Sequence, residues 1–594
     1  MNKQIWVTLS TATMVSAVLG CSSSTELTAV GQNQTGEDQL VDMANVHVDV
    51  VDETTSIRTA QELMPTSRLA SETRQPTVTE SKAMAEDSAL MPSPRRHTGV
   101  IVDPQYVAED RENYQQIENN RIMLTANEAT STFSIDVDTG AYANMRRFLN
   151  GGSLPPEDAI RIEELINYFS YDYAPPEAAD QPFSITTEIA KTPWNDQTHL
   201  LHVGLQGYQI DAAERPAANL VFLIDVSGSM SAPNKLALLK PAMRMLSQSM
   251  TAADTISIVV YAGASGVVLE PTAGNDIQAI HAAINQLNAG GSTNGRAGIE
   301  LAYDMAAKNF QKQGINRVIL ATDGDFNVGL SDVDALKALI EAKRESGVAL
   351  STLGFGTGNY NDHLMEQLAD VGNGAYAYID TLNEARKVLS DEINGTLLTI
   401  AKDVKIQIEF NPAVVSEYRL IGYENRHLNN EDFNNDKIDA GEIGAGHSVT
   451  AIYEIALVGS GGERHTPTRY SKSAATEEHV GEIAELRLRF KAPLEDDSQL
   501  LSQVVMLEDI VQTSEESSTN FRFSAAVAAM GQLLRDDQYM NEFDLDDVAG
   551  LAAGAKGADQ FGYRQEFTNL VRLAKALGGT KQAKAPRSPD DSQG

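Results

Sequence analysis

Between residues 219 and 399 the apolar positions alternate between two rhythms. Short runs at 220–224, 256–261, 318–321, 348–353 and 375–379 are apolar at nearly every position, as parallel strands covered on both faces require. The segments between them, 235–249, 277–287, 297–310, 333–346, 363–370 and 382–398, repeat their apolar residues at helical spacing. Regular alternation of the two predicts a doubly wound, Rossmann-like α/β domain. On either side the rhythm drops to two. Phe183, Ile185, Thr187 and Ile189 alternate with polar residues, then Leu201, Val203 and Leu205. Beyond the α/β stretch the same period returns in Val404, Ile406, Ile408 and Phe410, in Val449 to Leu457, and in Leu486, Leu488 and Phe490. The flanks predict one β-sandwich interrupted by the α/β domain. Ahead of it, 131–137 reads as a strand and 141–149 and 161–169 as helices; after residue 518 the pattern turns helical at 523–534, 545–553 and 565–577.

The expected organisation is therefore multidomain α/β. A signal peptide covers 1–20 and a disordered tether 21–113. A mixed N-terminal module follows at 114–215, the α/β domain at 216–399, β-rich sandwich sequence at 400–510, a helical module at 511–580 and a loose tail at 581–594. The tether is assigned on composition: no Phe, Trp or Tyr lies between Cys21 and Tyr106. Such a stretch buries too little apolar area to offset its ordering entropy. As a coil it spans about 50 Å root-mean-square.

Charge narrows the function classes. Lys plus Arg total 46 against 82 Asp plus Glu, a net charge of −36. That surface repels phosphate backbones, so nucleic acid is not an expected partner. Cys21 is the single cysteine, which excludes intrachain disulfides and thiolate zinc sites. Lys3 precedes an apolar run from 5 to 19, too short for a permanent span and suited to a signal sequence. The run ends in Val18-Leu19-Gly20-Cys21, which resembles a bacterial lipobox. The resemblance implies cleavage before Cys21 and its acylation. At about 0.8 kcal/mol per buried methylene, more than one chain anchors stably. Ser22 is not the aspartate of inner-membrane retention, so the expected location is the cell envelope, at the outer membrane with the body facing the periplasm.

One constellation carries chemistry. The strand at 220–224 runs into Asp225-Val226-Ser227-Gly228-Ser229, at the strand end where open α/β sheets bind ligands. One carboxylate and two hydroxyls are hard oxygen donors that suit Mg²⁺, Mn²⁺ or Ca²⁺. The string resembles the metal-ion-dependent adhesion site of von Willebrand factor type A domains. Gly290-Gly291-Ser292-Thr293 resembles the loop that donates a threonine, Thr293. Ala321-Thr322-Asp323-Gly324 resembles the loop that donates a second aspartate, Asp323. The resemblance implies direct coordination by Ser227 and Ser229, direct or water-mediated contact by Thr293, and mainly water-mediated roles for Asp225 and Asp323. It further implies that a partner protein supplies an acidic side chain to the ion. Residues 131–138 with 161–169, and the helical end, resemble modules of bacterial A-domain lipoproteins, so the likeness spans roughly 115–580.

Other signals are weaker. Residues 432–442 place oxygens at alternate positions, as a calcium loop does, but lack the glycine and final glutamate of an EF-hand; a solvated acidic loop is the expected reading. Gly444 to His447 reads as a turn, and Asp544, Asp546 and Asp547 as a helix start. Phosphate-loop, nucleophile-elbow and HExxH patterns are absent. No enzyme and no small-molecule substrate are expected. The alternatives to metal-dependent protein binding are an envelope scaffold with a structural metal and, further off, a metal-dependent hydrolase.

Overall fold

The computed structural model describes residues 112–176, 181–210, 214–292, 295–324, 333–466, 479–513 and 515–578. Cys21, Thr293, the signal sequence, nearly all of the expected tether and the tail lie outside them.

The α/β region is a six-stranded sheet in the order Tyr376–Ile379, Ala349–Phe355, Ile315–Thr322, Ala218–Asp225, Thr255–Tyr261, Ser265–Ala273. All neighbours are parallel except the last pair, which is antiparallel. The central strand, Ala218–Asp225, is buried at every position, which explains its unbroken apolar run. After it the chain first builds outward to Thr255–Tyr261 and later returns to the other side at Ile315–Thr322. The order reverses there, so a crevice opens at the carboxyl ends of these two strands.

The sandwich closes across the insertion. Asn195–Gly207, before the α/β region, pairs antiparallel with Ser448–Leu457, after it, with Leu201 opposite Tyr453 and Leu205 opposite Val449. Their inward residues share a core with Ile406, Ile408, Phe410, Leu486 and Leu488 of the facing five-stranded sheet. The other face of the same six-stranded sheet is also covered. Ala190, Leu200 and Ile452 join a core with the helices Ile162–Asn167, Thr519–Leu534 and Tyr563–Gly578. Coverage on both faces accounts for the nearly continuous burial of Leu200 to Gly207.

Three of the longer strands escaped the pattern reading. Ser265–Ala273 and Ser498–Met506 are sheet edges, where exposure removes the apolar constraint. Val415–Ile421 is buried, but Glu417 and Arg419 are among its buried residues and mask the period. The single helix expected over 382–398 is instead Leu382–Arg386, a π-turn at Lys387–Asp391 and Ile393–Leu397. The widened turn accompanies the burial of Lys387, whose Nζ lies 2.7 Å from Glu392 and 4.4 Å from the Tyr168 ring centroid.

Buried and half-buried arginines join the modules. Arg146 meets Asp380, Glu384 at 2.7 Å and Glu566 at 3.1 Å. Arg161 meets Glu164, Asp362 at 2.5 Å and Glu366 at 3.7 Å. Arg426 reaches Asp136, Glu366 and Asp370 at 2.9–3.2 Å. Asp136, Glu164 and Glu366 lie close enough together to suggest a cation. The guanidiniums of Arg161 and Arg426 already supply that charge, so the group is an ion-paired joint.

The acidic loop at 432–442 is likewise filled from within. Lys405 Nζ donates to the carbonyls of Asp432 (3.2 Å) and Asn435 (2.6 Å), and Lys491 Nζ to that of Asp436 (2.7 Å). Asp436 accepts from Arg489 and Ser498, and Asp439 from Arg344 of the α/β region. The loop is thus more than a solvated one: it clasps the inserted domain. At its end burial outweighs the nearby Arg317 guanidinium and pushes Glu442 up to about 8. A carboxyl raised in the fold favours folding below the unfolded value near 4.5, and that contribution is lost as pH rises through about 8. Glu442→Gln is expected to match wild-type stability at pH 4.5 and to exceed it by roughly 1–2 kcal/mol at pH 8.5. Urea unfolding at both pH values checks this; a variant less stable at the higher pH counts against it.

Elsewhere the smaller expectations hold. Gly444 to His447 form a turn closed by a 3.1 Å backbone bond. Asp544 caps the helix Leu545–Gly554 and forms a capping box with Asp547.

Candidate metal centre

Asp225 ends the central strand and is fully buried. Its Oδ1 accepts the Ser227 N–H at 2.8 Å, a local turn that carboxylate side chains favour. Its Oδ2 accepts the Thr322 hydroxyl at 3.0 Å. Burial pushes the Asp225 carboxyl up to about 6, against the pull of the Ser227 hydrogen bonds. After Ser227 the chain makes a 3-10 turn, Gly228–Ser231, whose Met230 is buried in the apolar core. That anchor brings Ser227 and Ser229 together, with their hydroxyl oxygens 2.9 Å apart. Ser227 is buried, Ser229 half-buried and Gly228 exposed.

Two backbone bonds tie the next loop to this one: Gly290 N–H to the Val226 carbonyl at 2.7 Å, and Gly228 N–H to the Gly291 carbonyl at 3.0 Å. Gly291 takes φ +93°, a conformation that favours glycine. The loop that leads to Thr293 is therefore held against Ser227, although Thr293 itself lies outside the described residues.

Asp323 follows the neighbouring strand and is also fully buried. Thr322 links the two aspartate loops, donating to Asp225 and accepting the Gly324 N–H at 3.1 Å. Asp323 Oδ2 is 2.8 Å from Lys235 Nζ and 3.3 Å from Asn359 Nδ2. Lys235 also donates to Asn359 Oδ1 at 2.8 Å. The structure thus brings Asp225, Ser227, Ser229 and Asp323 to one crevice, at the point where the strand order reverses.

Sequence reasoning missed Lys235, Asn359 and Gly356. Lys235 looked like an ordinary first residue of an amphipathic helix, and Asn359 a loop residue. Only the fold places them beside Asp323. Gly356, at φ +86°, faces Lys235 so closely that a Cβ would fall 2.1 Å from its Cε.

The donor set fits a hard divalent cation. Paired hydroxyls and a buried carboxylate oriented by hydrogen bonds offer oxygen alone. A cation would also stabilise the Asp225 charge that burial opposes.

A last contact bears on this crevice. Glu112 accepts the Gly358 N–H at 2.8 Å, one residue before Asn359, and pairs with Arg147 at 2.7 Å.

Three family models match the chain: "von Willebrand factor" over residues 108–202, "von Willebrand factor type A domain" over 220–325, and "Uncharacterized protein YfbK, C-terminal" over 395–577. The chain is 47% identical over 480 residues to protein YfbK of Escherichia coli strain K12, covering 79% of this chain and 82% of that one. It is 24% identical over 336 residues to protein sll0103 of Synechocystis, covering 56% and 75%. A solved von Willebrand factor type A protein from Catenulispora acidiphila aligns with TM-score 0.38 and 15% identity, over 67% of this chain and 91% of that chain.

Proposed function

We propose, because this chain belongs to the YfbK family of von Willebrand factor type A proteins, that it is an envelope protein that grips a partner through a divalent cation. A type A domain by itself supports an interaction or scaffold role. The observation that carries the finer reading is the convergence of Asp225, Ser227, Ser229 and Asp323 on one crevice.

Ser227 and Ser229 would hold the ion directly, and Thr293 directly or through water. Asp225 orients the Ser227 loop through its 2.8 Å hydrogen bond and, with Asp323, would act on the ion mainly through water. When bound, Mg²⁺ (or Mn²⁺ or Ca²⁺) supplies an electrophile with exchangeable positions, one of which an acidic side chain of the partner fills. Hydroxyl donors in place of carboxylates leave most of the ionic charge for that ligand.

Anchoring belongs to the same proposal. Among the described residues no helix is long and apolar enough to cross a membrane. Acylated Cys21 would tether the body to the outer membrane, facing the periplasm.

The test is capture from envelope extract by the full chain in mild detergent, in Mg²⁺ and in EDTA, with circular dichroism as the folding control. A partner held in Mg²⁺ and released by EDTA is the expected result. A partner retained equally in both would move the contact to the sandwich or helical module, and the domain would serve as scaffold.

A further inference from the structure

Lys235 is an odd neighbour for a cation site. Its side chain is 6% exposed, and its ammonium sits 2.8 Å from the carboxylate that the adhesion-site pattern assigns to the ion. Burying a lysine is costly unless it is paired and hydrogen-bonded, and here both conditions are built in. Asp323 supplies the charge, Asn359 Oδ1 accepts a second N–H at 2.8 Å, and the bare Gly356 leaves room for the stem. Asn359 also donates to Asp323, so the three side chains form a closed ring.

Charge counting gives the consequence. Asp225 and Asp323 bring two negative charges into the crevice, and Lys235 returns one positive charge. Among the described residues the crevice therefore offers a divalent ion a single net negative charge, and one positive unit is left over. We propose that Lys235 is a built-in counter-cation of the metal centre. It cancels Asp323, keeps the protein's own grip on the ion loose, and reserves the remaining charge for one carboxylate of the partner. This rests on the metal-binding reading above and adds to it the residue that sets how strongly the ion demands an acidic ligand.

The test measures Mn²⁺ alone, by titration calorimetry and by the paramagnetic signal of free Mn²⁺, on the folded full chain. Wild type is compared with Lys235→Met, Lys235→Gln and Ser227→Ala/Ser229→Ala. Removing one positive charge within about 10 Å of a divalent ion, at an effective dielectric near 20, predicts Mn²⁺ binding at least about 100-fold tighter in Lys235→Met. Lys235→Gln removes the same charge while keeping an N–H donor for Asp323, and is expected to tighten Mn²⁺ binding by a similar factor. An affinity in Lys235→Met equal to or weaker than wild type, while the serine variant still loses the ion, would overturn the counter-cation role and leave the metal site standing. Absence of Mn²⁺ binding in all proteins would overturn both. Should Lys235→Met fail to fold, Lys235→Gln decides: tighter Mn²⁺ binding supports the role, and affinity equal to or weaker than wild type overturns it.

Discussion

Replacing Arg161 with methionine is expected to destabilise the protein by about 3–5 kcal/mol, the usual consequence of removing one partner from a buried ion pair. Arg161 is 1% exposed and its partners Glu164 and Asp362 are 0% and 1% exposed. Methionine keeps much of the stem's packing, so the loss isolates the charge. Left behind are carboxylates that burial already pushes well above their ordinary range at Glu164, and to about 7 at Glu366. Without the guanidinium they ionise only at high cost, so the deficit should shrink as pH falls and they protonate. The pair also spans modules: Arg161 opens the N-terminal helix Ile162–Asn167, and Asp362 opens the α/β helix Asp362–Val371. Urea unfolding followed by both circular dichroism and tryptophan fluorescence should therefore show lower stability and less coincident transitions. A loss below about 1 kcal/mol would place the pair among those that contribute little net stability.

The second large effect is local. Ser227→Ala/Ser229→Ala is expected to weaken Mg²⁺ and Mn²⁺ binding by at least about 100-fold, since even outer-shell partners of a metal commonly account for 10- to 100-fold. The fold should be unaffected, because the contacts that shape the loop are elsewhere. The Ser227 N–H bond to Asp225 survives the substitution, and Met230 carries the apolar anchor. Thermal midpoints without metal should stay within a few degrees of one another, since losing a hydroxyl hydrogen bond at buried Ser227 costs about 1 kcal/mol. With saturating Mg²⁺, only wild type should gain, as ligand binding to the folded state alone requires. Equal gains in both proteins would remove the serines from the site.

What the sequence disclosed follows from where burial is one-sided or complete. The apolar run at 220–224 and the alternation of Leu201, Val203 and Leu205 are direct prints of sheet coverage, and they located the α/β insertion and its sandwich. Asp225, Ser227 and Ser229 were legible because five consecutive residues carry them. Asp323 was legible through its strand-end loop. Lys235 and Asn359 were not, because they approach Asp323 from distant positions, and no local period marks a contact between loops. Arg161 and Arg426 were illegible for the same reason. A buried arginine looks like a surface one until its carboxylates, contributed by other modules, are in place. The acidic loop at 432–442 misled in the opposite sense, since the lysines that fill it, Lys405 and Lys491, come from neighbouring strands.

The Glu112 carboxylate is seated on Gly358 and Arg147. Any shift of Glu112 is therefore passed directly to the loop bearing Asn359. Asn359 bonds both Lys235 and Asp323, so the position of that loop and the grip of the crevice share one short lever.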